Sequence, residues 1–211
     1  MYTLFGSAGS GSAMVEAALV LTGAAYELER ASSWEPDSAL ERLRAVNPLL
    51  QIPTLVLPDG SVLTESAAIL IHLGLQFPDS PLLPQDPARR AQALRGMVFI
   101  AANCYAAIGV IDYPERWCAD IDESARKRLL SGARARLHAY WDLFADTFAA
   151  APFLSGDAPG GLDLMAAVVS KWSGTRKHLA RARPQFLATL VRIERHPQIA
   201  PVWARHWPDA R

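Results

Sequence analysis

Residues 47–60 read NPLLQIPTLVLPDG, and they set a proline directly in front of an aliphatic and β-branched run, Thr54-Leu55-Val56-Leu57. Proline has no N–H for a strand ladder, so in a sheet it belongs at the first residue of a strand or on an edge. An X-Pro bond also adopts the cis form at far lower cost than any other peptide bond. A cis Ile52–Pro53 bond turns the chain outward just before the strand and frees the N–H and C=O of Ile52 to pair with something other than protein. Asp59-Gly60, lying between this run and Ser61-Val62-Leu63, is a hairpin signal. A helical pattern, ESAAILIHLGLQF at 65–77, follows at once, and PDSPLLPQDP at 78–87 breaks it.

Upstream of this stretch the period changes repeatedly. YTLF at 2–5 predicts a strand that ends in the glycine and serine cluster GSAGSGS at 6–12. AMVEAALVL at 13–21 predicts a helix, with Ser12 as N-cap and Gly23 as its stop. YELERA at 26–31 alternates as a strand does, and SALERLRAV at 38–46 predicts a helix ended by Asn47-Pro48. Downstream of Pro87 only helical patterns occur: 88–109, 122–150, 162–173, 184–194 and 197–206. The order is β-α-β-α-β-β-α followed by helices, an α/β plus all-α class with a mixed four-stranded sheet. The expected division is an α/β domain over 1–78, a linker over 79–87 and an all-helical domain over 88–211.

The totals exclude several classes. The 211 residues carry 21 Lys plus Arg against 21 Asp plus Glu, so bulk charge gives no footprint for nucleic acid or an anionic membrane. The N-terminal residues show no basic-then-apolar secretory pattern, and no apolar run of membrane-spanning length stands out. Two cysteines, Cys104 and Cys118, are too few for a disulfide framework and form no C-x-x-C pair, which points to a reducing, cytoplasmic setting. The five histidines have no ligand-like spacing with acids or cysteines, so no metal is expected.

The element order, the segment NPLLQIPTLVLPDGSVLTESAAILIHL at 47–73 and the helical second half together resemble a cytosolic glutathione S-transferase, most nearly the bacterial beta-type members. The resemblance covers essentially the whole chain. It implies a thioredoxin-like N-terminal domain, a cis bond before Pro53, glutathione as co-substrate and a homodimer. Glutathione is an extended tripeptide with two carboxylates, an ammonium and a thiol. Ile52 would pair antiparallel with its cysteinyl unit, a short form of strand addition. Ser66 opens a helix, where free N–H groups and the helix dipole attract the γ-glutamyl carboxylate. Glu65 supplies the negative charge for the γ-glutamyl ammonium. Gln51 reaches toward the glycyl end, and Trp34 walls the site or packs at a dimer contact.

Catalysis in such a family lowers the pKa of the bound thiol, because the thiolate is the nucleophile. A donor near the start of the first helix favours the charged form, and it should come from GSAGSGS. Gly6 stands where other classes carry tyrosine, and Gly11 stands where beta-type members carry cysteine. Ser10 and Ser12 are therefore the two candidate donors. The electrophile is expected between the domains, near Asn103 and Tyr105, with Tyr113 and Trp117 lining an apolar pocket; Cys104 reads as inert core. A central helix that relatives open with a hydroxyl residue and an aspartate here begins GGLD, so Asp163 faces Gly160. Two functions fit: conjugation of glutathione to a small hydrophobic electrophile, with related reduction or isomerisation, or a non-catalytic glutathione-binding carrier or interaction protein.

Overall fold

A computed structural model describes residues 1–35 and 37–208. Strand β1 (Tyr2–Gly6) leads into helix α1 (Ser12–Thr22), then β2 (Tyr26–Arg30), α2 (Leu40–Val46), β3 (Thr54–Val56), β4 (Val62–Leu63) and α3 (Ser66–Gln76). The sheet order is β2-β1-β3-β4, with β1 and β2 parallel and the other pairs antiparallel. A parallel neighbour requires a crossover, which α1 provides; the β3–β4 hairpin closes over Asp59-Gly60, with Leu57 N–H donating to Ser61 C=O at 2.8 Å. Gly23 ends α1 at φ 69°, where its N–H reaches back to the Leu19 and Val20 carbonyls, a stop that a residue with a Cβ adopts only at a cost.

Helices fill the remainder: α4 (Pro87–Phe99), a π-helical turn (Ile100–Tyr105), α5 (Ala106–Asp112), α6 (Glu123–Phe148), α7 (Gly161–Val169), α8 (Thr175–Ala182), α9 (Pro184–Glu194) and α10 (Ala200–His206). From Pro87 to Asp112 the chain is one helix, long and apolar enough by length and composition to cross a membrane, contrary to the reading of the sequence. Its buried face, which includes Met97, Ile100, Cys104 and Ile108, is built into the protein core. A core helix of a globular protein satisfies the same criteria.

Helix α7 is the centre of this packing, with its nine residues all buried. Its first turn is held by Asp163, whose carboxylate accepts from the N–H groups of Leu154, Ser155 and Gly160 at 2.7, 2.9 and 3.0 Å. Burial pushes this carboxyl up, and the Ser155 hydroxyl with the three N–H groups opposes that shift. Glycine at 160 is a matter of space: a Cβ there would meet the Pro81 carbonyl and the Ser155 hydroxyl, each at 2.6 Å. One core cluster runs from Leu4 and Met14 through Leu70 and Met97 to Trp141 and Met165, so sheet and bundle share an interior.

Two elements depart from the sequence reading. Ser12 is the first residue of α1, with Gly11 in the cap position, because its hydroxyl is turned back to the Ser7 backbone. The segment predicted as helix to 173 stops at Val169, and α8 begins after Gly174, whose φ of 80° interrupts the path.

Candidate functional site

The Ile52–Pro53 bond is cis, and the loop before it is pinned by side chains. Buried Asn47 donates from Nδ2 to the Gln51 carbonyl at 3.0 Å and to Thr54 Oγ1 at 2.9 Å, and Thr54 Oγ1 donates to the same carbonyl at 2.8 Å. The Gln51 carbonyl is thereby used inside the protein. Among the described residues, the N–H and C=O of Ile52 take no part in a backbone hydrogen bond. Two unpaired backbone groups on a pinned, cavity-lining turn are able to pair with an extended ligand.

That turn lines a cavity of about 690 Å³ between the sheet and the helices. The same cavity is bordered by Gly9, Ser10 and Gly11 at the start of α1, by Glu65 and Ser66 at the start of α3, and by Trp34. Glu65 holds φ 63°, outside the usual range for a residue with a side chain. Such conformations concentrate at sites where the surroundings enforce them. The helical side contributes Tyr105, Ile108 and Asp112, which recur at helical spacing on one face of the Pro87–Asp112 helix, and Tyr113 just past its end. A π-helical turn carries an extra residue and resets the face that follows it, a feature frequent at functional sites.

Several sequence-predicted residues meet here: Ser10, Trp34, Gln51, Ile52, Pro53, Glu65, Ser66, Tyr105 and Tyr113 all border the cavity. Others lie off it. Asn103 turns its amide back to the Phe99 carbonyl at 3.0 Å, and Trp117 stands 61% exposed outside the lining. Ser12 is fully buried beneath the floor. The Ser10 hydroxyl donates to the Ser7 carbonyl at 2.7 Å and lies 2.8 Å from the Ser12 hydroxyl, which itself reaches the Ser7 carbonyl at 3.1 Å. The three serines thus form a closed knot that shapes the turn.

Cavity residues missed from the sequence include Gly11, Met165, Trp172 and Arg116. Arg116 lies over the Tyr113 ring at 3.9 Å, and Trp172 packs on Tyr105 with ring centroids 5.7 Å apart. Neither contact leaves a periodic signal, since both join segments far apart or in a short turn. Burial pushes the Tyr105 hydroxyl well above the ordinary phenol range; the Ser66 hydroxyl opposes this and Glu65 adds to it. Burial alone raises the Asp112 carboxyl.

The chain is similar in sequence and fold to known proteins. Residues 12–76 fit the family of the glutathione S-transferase N-terminal domain. An uncharacterised GST-like protein of Escherichia coli, YncG, is 35% identical over 132 residues, covering 62% of this chain and 63% of that one. The chain therefore spans under two thirds of YncG's own length. A probable glutathione S-transferase of Zea mays, BZ2, is 33% identical over 174 residues, 78% of this chain and 70% of that protein. Among solved structures, a glutathione S-transferase of Methylobacterium radiotolerans in complex with glutathione sulfonate superposes with a TM-score of 0.75 at 27% identity, over 95% of this chain and 93% of that one.

Proposed function

We propose, from the premise that this chain belongs to the glutathione S-transferase family, that it binds glutathione in the cavity and activates its thiol for attack on a small hydrophobic electrophile. The observation that carries this reading is the pair of free backbone groups on Ile52, facing the same cavity as the acid and hydroxyl of Glu65 and Ser66. The cysteinyl unit lies against Ile52 by main-chain pairing. Its γ-glutamyl carboxylate takes the N-terminus of α3 with Ser66, and its ammonium takes Glu65. Gln51 and Trp34 flank the glycyl end. The thiol then falls over Ser10 and Gly11 at the start of α1, where the Gly11 N–H, without a partner among the described residues, favours an anion.

The electrophile occupies the adjoining part of the cavity, walled by Ile108, Tyr113, Met165 and Trp172. In this reading residues 1–78 are the glutathione-binding domain, 79–87 the linker and 88–211 the electrophile-binding domain, and the working unit is a cytoplasmic homodimer. Calorimetric titration with glutathione tests it. The unmodified chain binds one tripeptide per chain, and Ser66→Ala or Glu65→Gln weakens binding roughly tenfold or more, as loss of a hydrogen bond to a charged group does. Absence of binding, or binding indifferent to both substitutions, contradicts the reading. Binding with the thiol pKa unchanged from free glutathione favours a carrier.

A further inference from the structure

Gly11 lacks a side chain for a reason of space and not of backbone. Its φ of −60° and ψ of −18° are helical and suit any residue. A Cβ at this position would lie 2.9 Å from Tyr105 Oη, 3.3 Å from Pro53 Cδ and 3.7 Å from Ser66 Oγ. The phenol therefore reaches from the helical side across the cavity to the first turn of α1. It ends between the proline that presents Ile52 and the serine assigned to the γ-glutamyl head. Ile52, whose backbone groups the glutathione reading assigns to the cysteinyl unit, borders the same cavity.

Three facts give this hydroxyl a different standing from the serines below it. The Ser10 and Ser12 hydroxyls are bonded to one another and to the Ser7 carbonyl. Among the described residues, the Tyr105 hydroxyl takes no part in that knot, and the Ser66 hydroxyl beside it opposes the rise that burial imposes on the phenol. Burial keeps the phenol protonated, so it offers a hydrogen and does not compete with a thiolate for charge.

We propose that Tyr105 donates a hydrogen bond to the sulfur of bound glutathione, and that position 11 is kept bare to admit it. This rests on the glutathione reading given above. The thiol proton leaves to bulk water, the sulfur keeps the electron pair, and the tyrosine O–H bond stays intact. The donor expected from the loop after β1 is thus supplied by the helix that carries the π turn.

The test is ultraviolet titration of the thiolate band in the glutathione complex, beside calorimetric binding and thermal melting of each variant. In the unmodified chain the bound thiol ionises below the free thiol. Tyr105→Phe raises that midpoint by about one to two pH units, the worth of one hydrogen bond to a charged group, with the tripeptide still bound. Gly11→Ala, which pushes the phenol aside without removing it, raises the midpoint likewise, and the double variant goes no further than either single one. Should Tyr105→Phe fail to fold, Gly11→Ala carries the same test. A midpoint unmoved by Tyr105→Phe overturns the proposal, as does an equal rise from Gly11→Ala in the Tyr105→Phe background. A complex whose thiol is unshifted before any substitution also overturns it, while failure of the unmodified chain to bind glutathione overturns the reading beneath it.

Discussion

A hydroxyl acts where its proton points, and the run GSAGSGS shows how far residue identity alone carries. Ser10 and Ser12 have the right chemistry and stand near the right helix, yet both hydroxyls close on the Ser7 backbone. No local pattern distinguishes a free hydroxyl from a tied one, because the partner is a carbonyl that the sequence does not mark. Pro53, Glu65 and Ser66 were legible because proline, a turn and a helix start are local signals with fixed spacing. Cys104 was legible for a related reason, since an apolar helical neighbourhood predicts burial. Cys104 is buried and its thiol is pushed up to about 12 by desolvation, whereas Cys118 is exposed. A thiol reagent therefore titrates one group in the native protein, with the second reacting at least ~100-fold more slowly until the chain is unfolded. Two equally fast thiols would contradict the buried position of Cys104.

At the scale of elements, the α/β half followed its turn chemistry closely. Asp59-Gly60, Asn47-Pro48 and Gly23 each fixed a boundary, and the strands between them are short enough to leave little freedom. The helical half was less legible at its joints. Helix α8 buries only Thr175 and Leu179, so it has a weak apolar stripe, and the glycine ahead of it gave no reason to expect a restart. The π turn at Ile100–Tyr105 was invisible, because apolar residues surround it on both sides and a one-residue change of register leaves no trace in such a run. That hidden turn lies in the helix whose face brings Tyr105 to the cavity. The missing hydroxyl at Gly160 had a spatial cause: Ser155 comes into that space from the preceding loop.

For the whole molecule, the described end of the chain is fastened to its beginning by a charge cluster around buried Glu16 and His206. Glu16 on α1 accepts from His206 Nε2 at 2.7 Å, from the Arg205 guanidinium on α10 and from the Tyr26 hydroxyl at 3.1 Å. Burial alone would raise the Glu16 carboxyl, but the hydrogen bonds from His206 and Arg205 and their charges outweigh it and hold the group at about 2 instead of 4.5. A carboxyl lowered on folding stabilises the native state above its unfolded pKa, and that stabilisation fades as pH falls toward the folded value. The shift corresponds to about 3 kcal/mol at about pH 6, with more than half lost by about pH 3. Denaturant unfolding of Glu16→Gln beside the unmodified chain should show a stability gap that narrows in this window. A gap independent of pH would contradict the role given to the cluster.

The tripeptide's pose is the point on which the account depends, and a crystal structure of the chain with glutathione resolves it most directly. The predicted result has the cysteinyl N–H and C=O paired with the free groups of Ile52, the γ-glutamyl end on Glu65 and Ser66, and the sulfur above Gly11. A tripeptide bound elsewhere, or a cavity left empty at saturating glutathione, would contradict it.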